Sequence, residues 1–382
     1  MAAIRIDVTD FGATGNGNTD DTQAFQRAAD AAVATAGTLV IPSATRTNIP
    51  ATYAIEGTVT LRGSGPETYC DIEGQGGPVT ILSKGSNKAV FRSYGWKRSQ
   101  INRVNISVGA GASGVTGWDL NVESGRSSTG VLAFADCSVL APSSTVDGLV
   151  GWETAKGMSS GSESSFITWR QCTVEAASAG TTGHKGWSIN GSNTLNYAWY
   201  NCSGTWMKRV FTTNPGSFPG GDSHYFHGCG GSYNELVFEL ASAGAYQISG
   251  GRWELCNKLI AMAFGGSSLN LATLQLDGLK MNDFTLTDGK LIDLGLAANV
   301  RLGSCHLSLA EGQTPTAAMI SLSTGASGFG SLDVAGCALP SGSPDSFWTI
   351  GGAGNWSVRV TGSCTVDRTG QTVARLTERA PA

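Results

Sequence analysis

The chain has 382 residues, 41% hydrophobic and only 14% charged, with 53 glycines and a formal net charge of −4. Low charge with abundant Gly, Ser and Thr describes a β-rich, turn-rich chain and argues against a helical bundle or a disordered segment. An acidic balance offers phosphate no basic face, which excludes nucleic acid as a partner, and no apolar run approaches the ~18 residues of a membrane span, so no membrane insertion is expected.

The chain opens with MAAIRIDVTDFG, which lacks a basic region followed by an apolar core. No signal peptide is visible, so release without secretion, or loss of a leader, is expected. Gly12, Gly15 and Gly17 then mark a loop. An amphipathic helix is expected over about residues 20–35: Phe25, Ala28, Ala29, Ala32 and Val33 fall on one face at i, i+3, i+4, i+7 and i+8. Thr19 or Asp20 caps it, Asp20 and Asp21 sit in its first turn, and Gly37 ends it. TLVIP follows as a strand.

This opening, DFGATGNGNTDDTQAFQRA…GTLVIPSATRT, resembles that of the pectate-lyase-like superfamily of right-handed parallel β-helices. IEGQGGPVTIL (Ile72–Leu82) looks like the first coil of that superfamily. The resemblance covers roughly the first 85 residues. It implies that the helix covers the open end of a solenoid, and it is silent on activity, because one fold hosts lyases, hydrolases, epimerases and tailspikes. The polygalacturonase signatures Asn-Thr-Asp within the coils, Gly-His-Gly and Arg-Ile-Lys are missing, as is an acid-rich calcium site. TGHKG at His184 is a poor match. A large pectin enzyme is therefore not expected.

The coils come next. From Cys137 onward one position recurs roughly every 27 residues, filled by Cys172, Cys202, Cys229, Cys256, Leu279, Cys305, Cys337 and Cys364. Three residues earlier stand Phe134, Trp169, Trp199, Phe226 and Trp253, with small or polar residues between, a strand–bend–strand pattern. A second recurring strand centres on Trp118, Trp152, Trp187, Phe211, Phe238, Ile260, Ile292 and Trp348. Repeats of this length with Gly/Ser/Asn corners define an all-β fold, a single parallel β-helix whose coils stack ~4.8 Å apart. The resemblance makes it right-handed. The expected division is a cap over 1–55, about eleven coils over 56–370 and a tail over 371–382. The cysteine column is expected inside as free thiols: an odd count, even spacing and no C-x-x-C argue against disulfides and zinc.

Chemistry is expected in four places. Alternation turns Trp118, Trp152 and Trp187 inward and the following Asp119, Glu153 and Ser188 outward, so Asp119 and Glu153 should lie ~5 Å apart in successive coils, a spacing suited to acid/base work on a sugar. A long loop over 214–231 holds Asp222 and His224 as an acid/base couple, with Tyr225 as a sugar contact. His224-x-x-His227-x-Cys229 is a weak metal pattern, since Cys229 belongs to the ladder; no metal and no cofactor are expected. His184 and Lys185 are placed to line the same groove. Trp96 and Arg98, in SYGWKRSQ, form a basic-aromatic cluster for an acidic glycan or a neighbouring subunit, and Tyr94, Tyr197, Tyr200 and Tyr233 are further platforms.

Small-residue-rich coils, thiols suited to a reducing compartment and the N-terminal signature together resemble phage tailspike and minor tail proteins. That resemblance implies a protein made in the host cytoplasm and located in the virion tail, a homotrimer in contact with other tail proteins, and a host surface polysaccharide as partner, with or without cleavage. The alternative is a stand-alone polysaccharide lyase or glycoside hydrolase, secreted with its leader removed. A purely structural tail subunit is the third reading.

Overall fold

The computed structural model describes residues 4–379 except 46–47, 122–128, 156–163, 191–193, 214–222, 241–243, 263–271, 295–297, 314–318, 324–328, 339–347, 352–354 and 362–374. Each coil contributes one strand to each of three sheets. In one coil these are Thr116–Asn121 in sheet 3, Gly130–Ala135 in sheet 1 and Ser138–Ala141 in sheet 2. The next supplies Val150–Thr154, Ser164–Arg170 and Thr173–Ala176, paired parallel to the first set. Among the described residues sheet 1 has 15 strands and the other two have 11 each. The architecture is a right-handed parallel β-helix, the fold expected from the sequence.

An α-helix, Thr22–Ala34, covers the start. Phe25, Ala28, Ala29 and Ala32 are buried as the periodicity requires, and Phe25 meets Tyr53 edge to face at 5.2 Å. The helix also closes an open strand edge. The Gln26 side chain accepts from Thr60 N–H (2.8 Å) and donates to Thr60 C=O (2.9 Å), standing in for a missing neighbour strand on Val59–Leu61. The ends of the helix differ from expectation. Asp20 and Asp21 precede the first turn. Asp20 Oδ1 accepts from Thr22 N–H (3.0 Å), whereas Asp21 reaches back to the N–H groups of Thr14 and Gly15 and pins the glycine loop. The left-handed residue that ends the helix is Ala36; Gly37 is required because a Cβ there would lie 2.6 Å from Ile4 O.

The bend from sheet 1 to sheet 2 is one left-handed residue. Asp136, Gln171 and Asn201 hold it at φ near 53°, and Gly228, Gly250 and Gly278 take over further along. Directly after it comes the thiol column. Cys137, Cys172, Cys202, Cys229, Cys305 and Cys337 are each at most 2% exposed, and all eight described cysteines are free. Burial pushes the Cys137 and Cys172 thiols far above their ordinary range.

The column differs from the sequence reading in one coil. Gly231 pairs with Trp253, and Arg252 with Lys280, so the position after Cys229 belongs to Gly251, and Leu279 follows it. A Cβ on Gly251 would stand 1.9 Å from Cys229 O at φ +96°, so only glycine fits. Cys256 lies at the next corner, between sheets 2 and 3, where Asn234 Nδ2 approaches its sulfur at 3.7 Å. Trp253 likewise belongs to sheet 2. The equivalent of Phe226 in its coil is Ile248.

Aromatic ladders fill the interior on both sides of this column. Phe134, Trp169, Trp199 and Phe226 stack along sheet 1, the last pair with centroids 4.4 Å apart and planes 7° from parallel. Trp152, Trp187, Phe211 and Phe238 stack along sheet 3.

Candidate functional site

Sheet 3 carries the predicted carboxylates. Trp118, Trp152 and Trp187 are buried in the core, and the strand register sets Asp119 opposite Arg92 on one side and Glu153 on the other, with Ser188 beyond. The glycines before the tryptophans permit this. A Cβ on Gly151 would lie 2.4 Å from a Val174 methyl, so the strand could not seat Trp152 with any larger neighbour.

With Asn190 these side chains form a polar row of two hydrogen-bonded groups. Arg92 Nε donates to Asp119 Oδ2 at 2.7 Å, Asn190 Nδ2 donates to Glu153 Oε1 at 3.0 Å, and Ser188 Oγ donates to Asn190 Oδ1 at 3.4 Å. Two coils on, Glu239 Oε2 accepts from Thr212 Oγ1 (2.7 Å) and pairs with Arg209 Nε (2.6 Å).

Asp119 departs from the solvated position expected for it. Its side chain is 2% exposed, against 37% for Arg92, and its Oδ1 is buried without a hydrogen-bond partner among the described residues. The buried carboxylate is held by one arginine, and one oxygen keeps unused acceptor capacity. Glu153 is half-buried and is the more accessible member of the pair.

The other predicted residues separate. His224 is inside the solenoid, 1% exposed, stacked on Tyr197 at 5.6 Å, with Nε2 hydrogen-bonded to Thr194 Oγ1 (3.3 Å). Burial pushes it down to about 4. It is therefore the neutral imidazole of a core cluster, out of reach of a surface substrate. Asp222 lies outside the described residues. His227 faces outward and Cys229 inward, so the His–His–Cys spacing does not converge. Tyr225 is half-buried on the outer face of sheet 1, its ring parallel to His227.

His184 is also buried. Its Nδ1 accepts from Leu149 N–H at 3.1 Å, and burial lowers its basicity despite nearby Asp147. Lys185 opens the strand Lys185–Ile189 on sheet 3, on a different sheet from Tyr225. Trp96 is no platform: it is fully buried, with Nε1 donating to Cys70 C=O at 3.0 Å. Arg98 is exposed, on the outer face of sheet 1, in a left-handed conformation (φ 49°). Tyr197 is buried as well, its hydroxyl hydrogen-bonded to Ser164 Oγ at 2.5 Å. The structure thus brings Asp119 and Glu153 together, leaves Lys185 further along the same sheet, puts Arg98 and Tyr225 on another, and turns Trp96, His184 and His224 into core residues. Arg92 and Asn190 complete the row. Sequence reasoning did not name Asn190 and grouped Arg92 with the basic-aromatic cluster around Trp96, although Arg92 follows Phe91 just as Asp119 follows Trp118.

Fold and site together define a β-helix protein with an outward polar row on one sheet. No protein-family model matches the chain, and no curated protein matches it. Similar solved structures include ORF18 of Geobacillus virus E2, 15% identical with a TM-score of 0.45 over 94% of this chain. The chain spans 62% of the length of that viral protein. The gp42 tailspike of Acinetobacter phage vb_AbaP_AS12 is 12% identical, with a TM-score of 0.45 over 98% of this chain and 67% of its own. A Family 28 exopolygalacturonase from Yersinia enterocolitica is 11% identical, with a TM-score of 0.46 over 98% and 77%. The architecture stands on the sheets themselves, and these likenesses add no chemistry to it.

Proposed function

We propose that the protein is a virion tail protein that recognises a host cell-surface polysaccharide on the outer face of sheet 3, around Arg92, Glu153 and Asn190. The observation that carries this is the hydrogen-bonded row itself. A cation, a carboxylate and an amide stand in line along successive coils of a rigid sheet, Arg92 tied to Asp119 and Glu153 to Asn190, the mix that a hydroxyl-rich ligand needs. A solenoid repeats its surface once per coil, which suits a ligand that is itself periodic. The free, buried cysteines need no oxidant, which fits synthesis in a host cytoplasm. Homotrimerisation and contact with other tail proteins belong to the same reading.

The burial of Asp119 favours recognition over cleavage. A nucleophile must reach the anomeric carbon, and this carboxylate is covered. The second reading, a polysaccharide depolymerase, rests on the register that sets Asp119 beside Glu153, ~5 Å apart by sheet geometry, as in retaining glycosidases.

Purified host capsular and lipopolysaccharide glycans on an array, read alongside a reducing-end assay, separate the two. Recognition predicts binding that falls at least about tenfold in Asn190→Ala and Glu153→Gln, with no release of reducing ends (about 1.4 kcal/mol or more). Release of ends that Asp119→Asn or Glu153→Gln abolishes establishes the depolymerase in its place. Retention of none of these glycans defeats both.

A further inference from the structure

We infer that Cys305 and Cys337 are an oxidation site, two thiols that a peroxide joins into a disulfide across neighbouring coils. The inference is independent of the polysaccharide reading. The chain carries both as free thiols, so the bond is a product of oxidation and no part of the fold described above.

The register places the two residues together. Cys305 follows the strand Ala298–Gly303 and Cys337 follows Phe329–Ala335, each directly after the left-handed bend, at Ser304 (φ 51°) and Gly336 (φ 60°). Leu302 pairs with Val334 and Gly303 with Ala335 before the bend, and His306 bridges to Ala338 after it, so Cys305 stands opposite Cys337. Ser304 N–H donates to Ala335 C=O at 3.0 Å and Ala338 N–H to Cys305 C=O at 2.9 Å, which fixes the pair from both sides. Parallel neighbours lie ~4.8 Å apart, within the roughly 4.4–6.8 Å between Cα atoms that a disulfide spans. Both residues are 1% exposed, and the Cys305 thiol donates to the Cys337 sulfur.

Earlier thiols of the column also touch, Cys137 with Cys172 and Cys172 with Cys202. Two features set the later pair apart. After Cys137 and Cys172 the strands Ser138–Ala141 and Thr173–Ala176 pair along their length. After Cys337, sheet 2 continues among the described residues only as the bridge to Ala338, its last strand being His306–Leu309. A segment held by one bridge opens locally at low cost, and a peroxide is little larger than water. The second feature is the thiol contact itself. Donation from Cys305 brings Cys337 down to about 7, against burial and nearby Asp277, whereas burial drives Cys137 and Cys172 far up. Thiolate is the nucleophile, so Cys337 reacts first.

The Cys337 thiolate attacks one peroxide oxygen. The O–O bond breaks, hydroxide leaves and takes up a proton, and Cys337 becomes a sulfenic acid. The Cys305 sulfur then attacks the Cys337 sulfur. The S–O bond breaks and the oxygen leaves as water with the Cys305 proton. Two electrons pass from the thiol pair to the peroxide, and two waters form.

The test exposes the full chain, prepared reduced and then freed of reductant, to hydrogen peroxide and follows it by mass spectrometry. A loss of about 2 Da, restored by dithiothreitol, is expected. Digestion after acidic residues cuts at Glu311, between the two cysteines, and should leave their fragments linked. Cys137, Cys172 and Cys202 should oxidise at least about tenfold more slowly. In Cys305→Ser, Cys337 should stop at the sulfenic acid, which dimedone traps; in Cys337→Ser, Cys305 should remain a thiol. Cys305→Ala repeats the first variant with an apolar side chain, should serine disturb the interior. No loss of mass overturns the inference. So does a bond from either cysteine to any other, a link between two copies of the chain on a non-reducing gel, or oxidation of Cys137 as fast as that of Cys337.

Discussion

His224 shows how one buried side chain ties stability to pH. Burial holds its pKa at about 4, below the ordinary 6.5, so the unfolded chain binds a proton between these values that the folded chain refuses. The stabilisation is complete above pH 6.5 and is lost as pH falls toward 4, by about 3 kcal/mol for this group. His184, lowered in the same direction, adds to the slope. Denaturant midpoints measured from pH 7 to pH 5, above the range in which most carboxylates titrate, should fall with pH, and His224→Phe should flatten the curve. The buried tryptophans carry a different cost. Nε1 of Trp118, Trp152, Trp169, Trp187, Trp199 and Trp253 has no hydrogen-bond partner among the described residues. Each orphan donor costs about 1–3 kcal/mol, which the large buried ring area and the stacked neighbours offset.

At the scale of single elements, the bends and the capping helix decide most. Gln171 takes a left-handed turn at φ 53° where three later coils use Gly228, Gly250 and Gly278. Gln171→Gly removes that strain but loosens the unfolded chain, and the strain dominates, so a gain of up to about 1 kcal/mol is expected in a thermal melt. The helix matters through Gln26. Loss of its two hydrogen bonds to Thr60 in Gln26→Ala should cost about 1–2 kcal/mol and open the edge of Val59–Leu61 to pairing with another chain. Light scattering on warming checks the second effect apart from the first. Alternation within strands made much of this legible. Phe226 facing inward puts His224 inside and Tyr225 and His227 outside, and Trp169 facing inward puts Phe166 outside. His224 was misread because the segment was taken for a loop when its last residues are a strand. Trp96 was not readable in this way: it sits at a corner, paired only through the isolated bridge to Thr68, where no alternation fixes its direction.

The whole molecule is a stack in which each coil rests on its neighbours, with thiols running through most of it. The described cysteines are buried, and burial suppresses the acidity of Cys70, Cys137, Cys172 and Cys202, so a thiol reagent should leave these four unmodified in the native protein and titrate them only after denaturation. A reductant should leave the melting temperature unchanged. Rapid modification of the native state would mean that the column is open to solvent.

The repeating aromatic and thiol positions, the amphipathic helix and the inward–outward phase of each strand were written in the sequence, because a coil spends one residue per ladder and a strand alternates with period two. Neighbouring residues suffice to read both. What sits above what depended on coil length and register, which no local pattern fixes: Gly251 takes the place assigned to Cys256, and Trp253 moves to another sheet. The cover over Asp119 comes from Arg92, 27 residues earlier in the chain, and only the stacking of coils brings that guanidinium to the carboxylate. The same stacking turned the expected solvated acid pair into one buried, arginine-held group beside one accessible one.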